Sequence, residues 1–205
     1  MEKPIILLGA GGHAKVLLDA LLKMNKKVIG IVDKQTTKTL LNLPILGTDE
    51  KIEQFAPNSV QLVNGIGSIA NTEKRTQIYN KFIKQGYKFA NVIHPSVILA
   101  NEIRLGQGIQ IMAGAVIQVG SDIGDNSIIN TQASIDHDCV IGKHVHIAPG
   151  VLLSGEVKIG DGSHIGTGTT IIQGIKIGTN ALVGAGSVVV KNVANNKKVM
   201  GVPAK

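Results

Sequence analysis

Apolar positions in this chain follow two rhythms, and the change comes near Ile93. Ahead of that point, short apolar runs alternate with segments of helical spacing. Pro4 to Gly9 reads as a buried strand, and Gly9-Ala-Gly-Gly-His13 as a glycine-rich turn. Ala14 to Met24 has helical period, with Val16, Leu17, Ala20, Leu21 and Met24 on one side. Val28 to Asp33 is a second strand. Val60 to Val63 is a third, running into Asn64-Gly-Ile-Gly67. Asn71-Thr-Glu-Lys opens a second helix that runs to about Gln85, with Gly86 as its stop. Strand–helix–strand order predicts an α/β unit, a parallel sheet covered by helices.

From Ile93 onward an aliphatic residue stands at every sixth position, through Leu99, Leu105 and Ile111 to Val183 and Val189. Four residues beyond each lies a small or β-branched residue, such as Ser127, Ala133, Cys139, Val145 or Thr169. This is a hexapeptide repeat in unbroken phase. A slower period rides on it. Gly106, Gly124, Gly142, Gly160 and Gly178 are spaced by 18, so three hexads make one coil. The inward aliphatics then stack into one continuous core, as solenoids require.

Composition supports this picture. Only 2% of the 205 residues are aromatic and there is no Trp, so Ile, Val and Gly carry the apolar weight. That favours β-structure with tight corners. The net charge of +7 raises the question of nucleic acid. The lysines are scattered, Arg75 and Arg104 are the only arginines, and no aromatic platform accompanies them, which argues against that partner. Anionic small ligands suit the charge. The single cysteine, Cys139, precludes an intrachain disulfide and fits a reducing compartment. Its inward hexad position predicts inert packing. The apolar run Ile5 to Gly9 is too short to span a membrane and lacks a cleavage site, so a cytoplasmic location without membrane insertion is expected.

His137 is the leading chemical candidate. It lies between Asp136 and Asp138, and a carboxylate on one ring nitrogen makes imidazole a better base. The residues leave open which aspartate does this. His146 and His164 differ by 18 and should stack on successive coils, while His144 reads as a solvent-facing side chain. His137 and His146 differ by nine, half a coil, which puts them on opposite sides of one prism. If both serve one reaction, they meet between subunits. Gly9-x-Gly-x-x-Ala14 between a strand and a helix, with Asp33 about twenty residues on, has the pattern of a phosphate-binding turn. No histidine pair has the close spacing of a zinc hydrolyase on such a helix, so no metal is expected.

Taken in order, several segments resemble the NeuD/PglD-type sugar acetyltransferases. They are Gly9-Ala-Gly-Gly-His13, Asp33, Asn91-Val-Ile-His-Pro95, Ile135-Asp-His-Asp-Cys-Val-Ile-Gly142 and Gly201-Val-Pro-Ala-Lys205. The resemblance implies a Rossmann-like nucleotide-sugar-binding domain at 1–90, a left-handed parallel β-helix at 91–193 and a CoA-contacting tail at 194–205. It implies acetyl-CoA as cosubstrate, a nucleotide-linked amino sugar (UDP-linked) as acceptor, and a homotrimer with sites between subunits. Under it, His137 is the general base and Asp138 its partner. His146, Thr167, Ala185 and Lys205 face CoA. Gly11, Gly12, His13, Asp33, Lys34 and Gly67 hold the substrate, with Asp33 on the base. Three departures are visible: Asp138 stands where Glu is typical, which shortens its reach by one methylene, Lys34 where some relatives have a second acid, and Ser68 where some have Asn. Lys197, Lys198 and Lys205 read equally as a site for the CoA 3′-phosphate or as a solvated tail. O-acetylation of a sugar hydroxyl and a non-catalytic nucleotide-binding role are the competing readings.

Overall fold

The computed structural model describes residues 3–34, 39–69 and 71–205. Four short strands open the fold: β1 (Ile5–Leu8), β2 (Val28–Val32), β3 (Ile45–Gly47) and β4 (Gln61–Asn64). They form one parallel sheet in the order β3-β2-β1-β4. Helix α1 (Gly12–Lys23) follows β1, and α2 (Glu73–Lys84) follows β4. Successive strand side chains point to opposite faces. Ile5 and Leu7 therefore join the cluster of Leu17, Leu18 and Leu21 from α1, while Ile6 and Leu8 join Tyr79 and Phe82 from α2. A sheet covered on both sides explains why these strands read as unbroken apolar runs. Helix α1 departs from its expected face in one respect: Leu18 is buried and Val16 is 48% exposed. Val16 borders the cleft described below instead. Strand β3 and the 3-10 turn Asp49–Gln54 are not legible in the apolar pattern.

The chain enters its second half directly. The Ala90 N–H donates to Leu62 of the sheet, and the Val92 N–H donates to Ile109 of the first coil. From Val92–Ile93 to Val188–Val189 a two-residue strand recurs every six residues. Each pairs in parallel with the strand one coil away, as His146 does with Ile128 and His164. The result is a parallel β-helix with faces of seven, six and five strands. The inward aliphatics from Ile111 to Val189 form one buried column. The first coil is the exception. Leu99 is 37% exposed, and Ile93 and Leu105 are only partly buried, because no coil lies beneath them.

The corners have a regularity of their own. Every sixth residue from Glu102 to Gly186 has positive φ. For a residue with a Cβ that conformation costs about 1–2 kcal/mol, so Gly and Asn recur there. Asp138 and His144 occupy two of these corners, with φ near 58°. The last segment also joins the solenoid, since Lys198–Val199 adds an end strand to the seven-stranded face. Among the described residues no helix is long and apolar enough to cross a membrane.

Candidate active site

A cleft of about 780 Å³ opens over the carboxyl ends of β1, β2 and β4. Gly11 and Gly12, at the start of α1, have open space where a Cβ would stand. Helix N–H groups with no side chain over them suit an anion. To one side, Asp33 follows β2, and its carboxylate accepts the Ala10 N–H at 2.8 Å. To the other side, Gly67 and Ser68 follow β4. Lys34, exposed, and Asp49 complete the β2 end of the cleft.

The β-helix supplies the remaining wall through Asn130 and His146 of the seven-stranded face. His146 is only 8% exposed. Its Nδ1 lies 2.7 Å from Ser68 Oγ, and its Nε2 lies 3.2 Å from the Asn130 amide nitrogen. Its ring meets His164 edge to face at 4.8 Å, as the spacing of 18 predicts. Burial pulls the His146 pKa down to about 3. His13 is similar. Burial lowers its pKa to about 4, and Nε2 sits 2.7 Å from the Gln110 side-chain oxygen.

A buried polar network forms the floor between the two halves. Arg75 is 1% exposed. It donates to the carbonyls of Asn64 (2.8 Å), Ile66 (2.9 Å) and Asn126 (3.2 Å). Gln110 donates to Asn64 O at 2.7 Å. Asn64 and Asn126 are joined side chain to side chain, and Asn126 reaches His144 Nδ1 at 2.9 Å. His144 therefore does not face solvent as expected. It is partly buried, bonded to Asn126 and edge-on to Tyr79, because its corner lies under α2.

His137 sits elsewhere, at the corner between the six- and five-stranded faces, and does not border this cleft. Its Nδ1 is 2.9 Å from Asp138 Oδ2, while Asp136 accepts the His137 backbone N–H at 2.8 Å. Asp138 is thus the aspartate on the ring, an outcome its left-handed corner conformation permits. That hydrogen bond is the main cause of a raised His137 pKa, which Asp136 and Glu156 assist. The imidazole lies over Gly155, where a Cβ would come within 2.5 Å of Cε1 and Nε2. Cys139 is buried and donates to Ser154 O, and burial lifts its pKa to about 11, as inert packing requires.

Family models match both halves. The PglD N-terminal domain matches residues 4–82, and the bacterial transferase hexapeptide (six repeats) matches 120–155 and 156–191. A histidine-to-asparagine mutant of perosamine N-acetyltransferase from Caulobacter crescentus, solved with CoA and GDP-perosamine, is 35% identical. That match has a TM-score of 0.93 and covers 100% of this chain and 97% of the other. The chain belongs to the PglD-type sugar acetyltransferases. The acetyltransferase domain of PglB from Neisseria gonorrhoeae FA1090 is 33% identical with a TM-score of 0.94, covering 100% and 99% of the two chains. The GDP-perosamine N-acetyltransferase of Escherichia coli O157:H7 is 32% identical over 92 residues, which are 45% of this chain. The chain aligns with only 42% of the length of that curated relative.

For a PglD-type acetyltransferase, the placements divide cleanly. Gly11, Gly12, His13, Asp33, Lys34 and Gly67 share one cleft, and His146 joins them. His137 and Asp138 stand apart, as the half-coil spacing implies. Thr167 and Ala185 are exposed at one corner of successive coils. Lys205 is exposed, and its backbone N–H and C=O exchange hydrogen bonds with Met200. Asn130, Arg75, Gln110 and Gly155 were not legible as site residues. One signal existed: Arg75 shares the buried side of α2 with Tyr79 and Phe82, at helical spacing.

The buried histidines make an acid-stability prediction. Their folded pKa values lie below the unfolded value of about 6.5, so below that pH the unfolded chain binds more protons. Stability is complete above about pH 6.5 and declines as pH falls toward 4 and then 3. Each histidine contributes a slope of up to about 1.4 kcal/mol per pH unit. Between pH 7.5 and 5 the unfolding free energy should fall by about 4 kcal/mol, roughly 2 from each of the two. His137, with a raised pKa and an exposed ring, acts weakly in the opposite sense. Urea titrations at the two pH values check this, and a flat profile contradicts it.

Proposed function

We propose that the protein transfers the acetyl group of acetyl-CoA to the amine of a nucleotide-linked amino sugar, at sites completed between subunits of a homotrimer. The observation that carries this reading is the separation of the His137–Asp138 pair from the nucleotide-type cleft of the same chain. With Nδ1–H donated to Asp138, His137 Nε2 has its lone pair free. As the sugar amine attacks the thioester carbonyl, Nε2 takes the proton and the CoA thiolate leaves. Thr167 and Ala185 lie along the edge assigned to the pantetheine arm, and Lys205 near the CoA phosphate.

A trimer supplies the missing juxtaposition. The outward positions of the six-stranded face are Ile98, Val116, Ser134, Leu152, Thr170 and Val188, with Ile98 and Leu152 64% and 50% exposed. Those of the five-stranded face are Arg104, Asp122, Val140, Lys158 and Lys176. A face that carries no charge and is mostly apolar suits packing against another copy. The nucleotide is assigned as UDP by the resemblance at Asp33, while GDP is what two relatives carry in their names.

The test is a CoA-release assay with UDP-linked 4-amino and 3-amino sugars beside dTDP and GDP analogues and a sialic acid. Release with none of them, while nucleotide still binds, would favour a non-catalytic protein; release with a sialic acid alone would favour O-acetylation. Shared sites have their own readout. Chains carrying His137→Ala and chains carrying Gly12→Asp should each be inactive, yet regain ~25% of wild-type sites on random mixing. No recovery would place the whole site within one chain. Gly155→Ala should push the imidazole off its seat and lower kcat by roughly 10- to 100-fold, with an unchanged melting temperature. Unaltered kcat would show that the ring tolerates displacement.

A further inference from the structure

The hydrogen bonds around His146 run in one direction. The Thr131 backbone N–H donates to Asn130 Oδ1 at 2.8 Å, and a backbone N–H can only donate. This fixes the Asn130 amide with its nitrogen toward His146, 3.2 Å from Nε2. An amide nitrogen also only donates, so Nε2 must accept. A neutral imidazole with an accepting Nε2 carries its proton on Nδ1. Burial holds this ring neutral. Nδ1–H therefore donates to Ser68 Oγ at 2.7 Å. With one lone pair engaged, the Ser68 O–H proton is not used by His146.

We propose that Ser68 is a specificity-determining residue of the substrate cleft, a hydroxyl committed by Thr131, Asn130 and His146 to donate its proton to an acceptor oxygen on the sugar of the bound nucleotide sugar. Ser68 borders the cleft, and sheet order puts it at one end. Strand β1 lies between β2 and β4. A ligand laid across the strand ends meets Asp33 after β2, the open helix start at Gly11 and Gly12 after β1, and Ser68 after β4. The helix start takes the diphosphate. The base and the sugar then fall on opposite sides of it, with the sugar on the side of Ser68, Asn130 and His146. A ligand oxygen there takes the one proton that Ser68 has to give and gains a hydrogen bond, whereas a ligand N–H or ammonium leaves that proton unused and competes with His146 for the lone pairs of Oγ.

This inference rests on the proposed function for the ligand's class but not for the direction of the hydrogen bonds. Ring ¹⁵N NMR, with His146→Gln for assignment, should show His146 protonated at Nδ1 and bare at Nε2. Calorimetry with UDP- and GDP-linked 4-amino sugars, each against its nucleoside diphosphate alone, gives the second readout. Ser68→Ala should weaken the preferred sugar nucleotide roughly 10-fold and the diphosphate less than about 2-fold, while Ser68→Thr keeps both near wild type. A proton on Nε2 overturns the proposal, because Ser68 would then have to donate to His146. Equal losses for both ligands, or no loss, also overturn it. If wild type itself binds no sugar nucleotide better than its diphosphate, the functional reading fails and this proposal with it. If wild type binds it and Ser68→Ala binds it as well, this proposal alone fails.

Discussion

His137→Ala is expected to lower turnover by about 10²- to 10⁴-fold while leaving CoA affinity and the melting temperature near wild type. The loss falls on chemistry because the imidazole is the proton acceptor in the proposed transfer, and no other histidine stands at that corner. The fold should tolerate the change because inward Ile135 and Cys139 hold the coil on either side, and the His137 side chain is 43% exposed. The Asp138 hydrogen bond raises the His137 pKa. A base works in its neutral form, so kcat/KM should fall as pH drops through that raised value. Asp138→Asn should carry the acid limb to lower pH and reduce the plateau. Steady-state kinetics across pH 5–9 and calorimetric CoA binding check both parts. Full activity in His137→Ala would reject the role.

Arg75→Ala should destabilise the protein by about 3–5 kcal/mol in urea denaturation. Two effects compete. Burial drops the Arg75 pKa to about 9, so holding the charge there is costly, and removing it returns part of that cost. Against this, the carbonyls of Ile66 and Asn126 lose their guanidinium donor in a buried site, and a large side chain leaves a void. The second group of effects should win, since an unpaired buried acceptor costs about 1–3 kcal/mol and a large-to-small core change several more. Arg75→Met separates the two by filling the void without restoring a donor, and should recover about half the loss. Because Arg75 holds the segment leading to Ser68, both variants should also weaken nucleotide-sugar binding. Wild-type stability in Arg75→Ala would mean that the network contributes no net energy.

Much of this architecture was legible because its periods are long and strict. The hexad phase holds at every step from Ile93 to Val189, and a residue recurring every six positions has only one consistent way to face a common core. The misses have local causes. Val16 fits the apolar face of a helix by spacing, yet it borders the cleft, because α1 is positioned by Leu17, Leu18 and Leu21 against β1. His144 looks like a polar corner residue, and becomes partly buried only because α2 lies across that corner. Strand β3 is three residues long and half-buried, too little to impose an alternation.

By itself the sequence determined the two-part architecture, the coil of three hexads, the glycine-rich turn after the first strand and the separation of His137 from His146. These follow from periodicity, which is a property of the chain alone. Only the tertiary structure decided that Asp138 rather than Asp136 holds His137, that Gly155 makes room for its ring, and that Ser68, Asn130 and His146 close a cleft begun by the other half. The first two choices are made within the solenoid, by the conformation of the His137 corner and by the coil that stacks Gly155 beneath it. The third depends on side chains 16 to 78 residues apart meeting at fixed distances, which is set by how the first half packs onto the solenoid, and no local pattern encodes that packing.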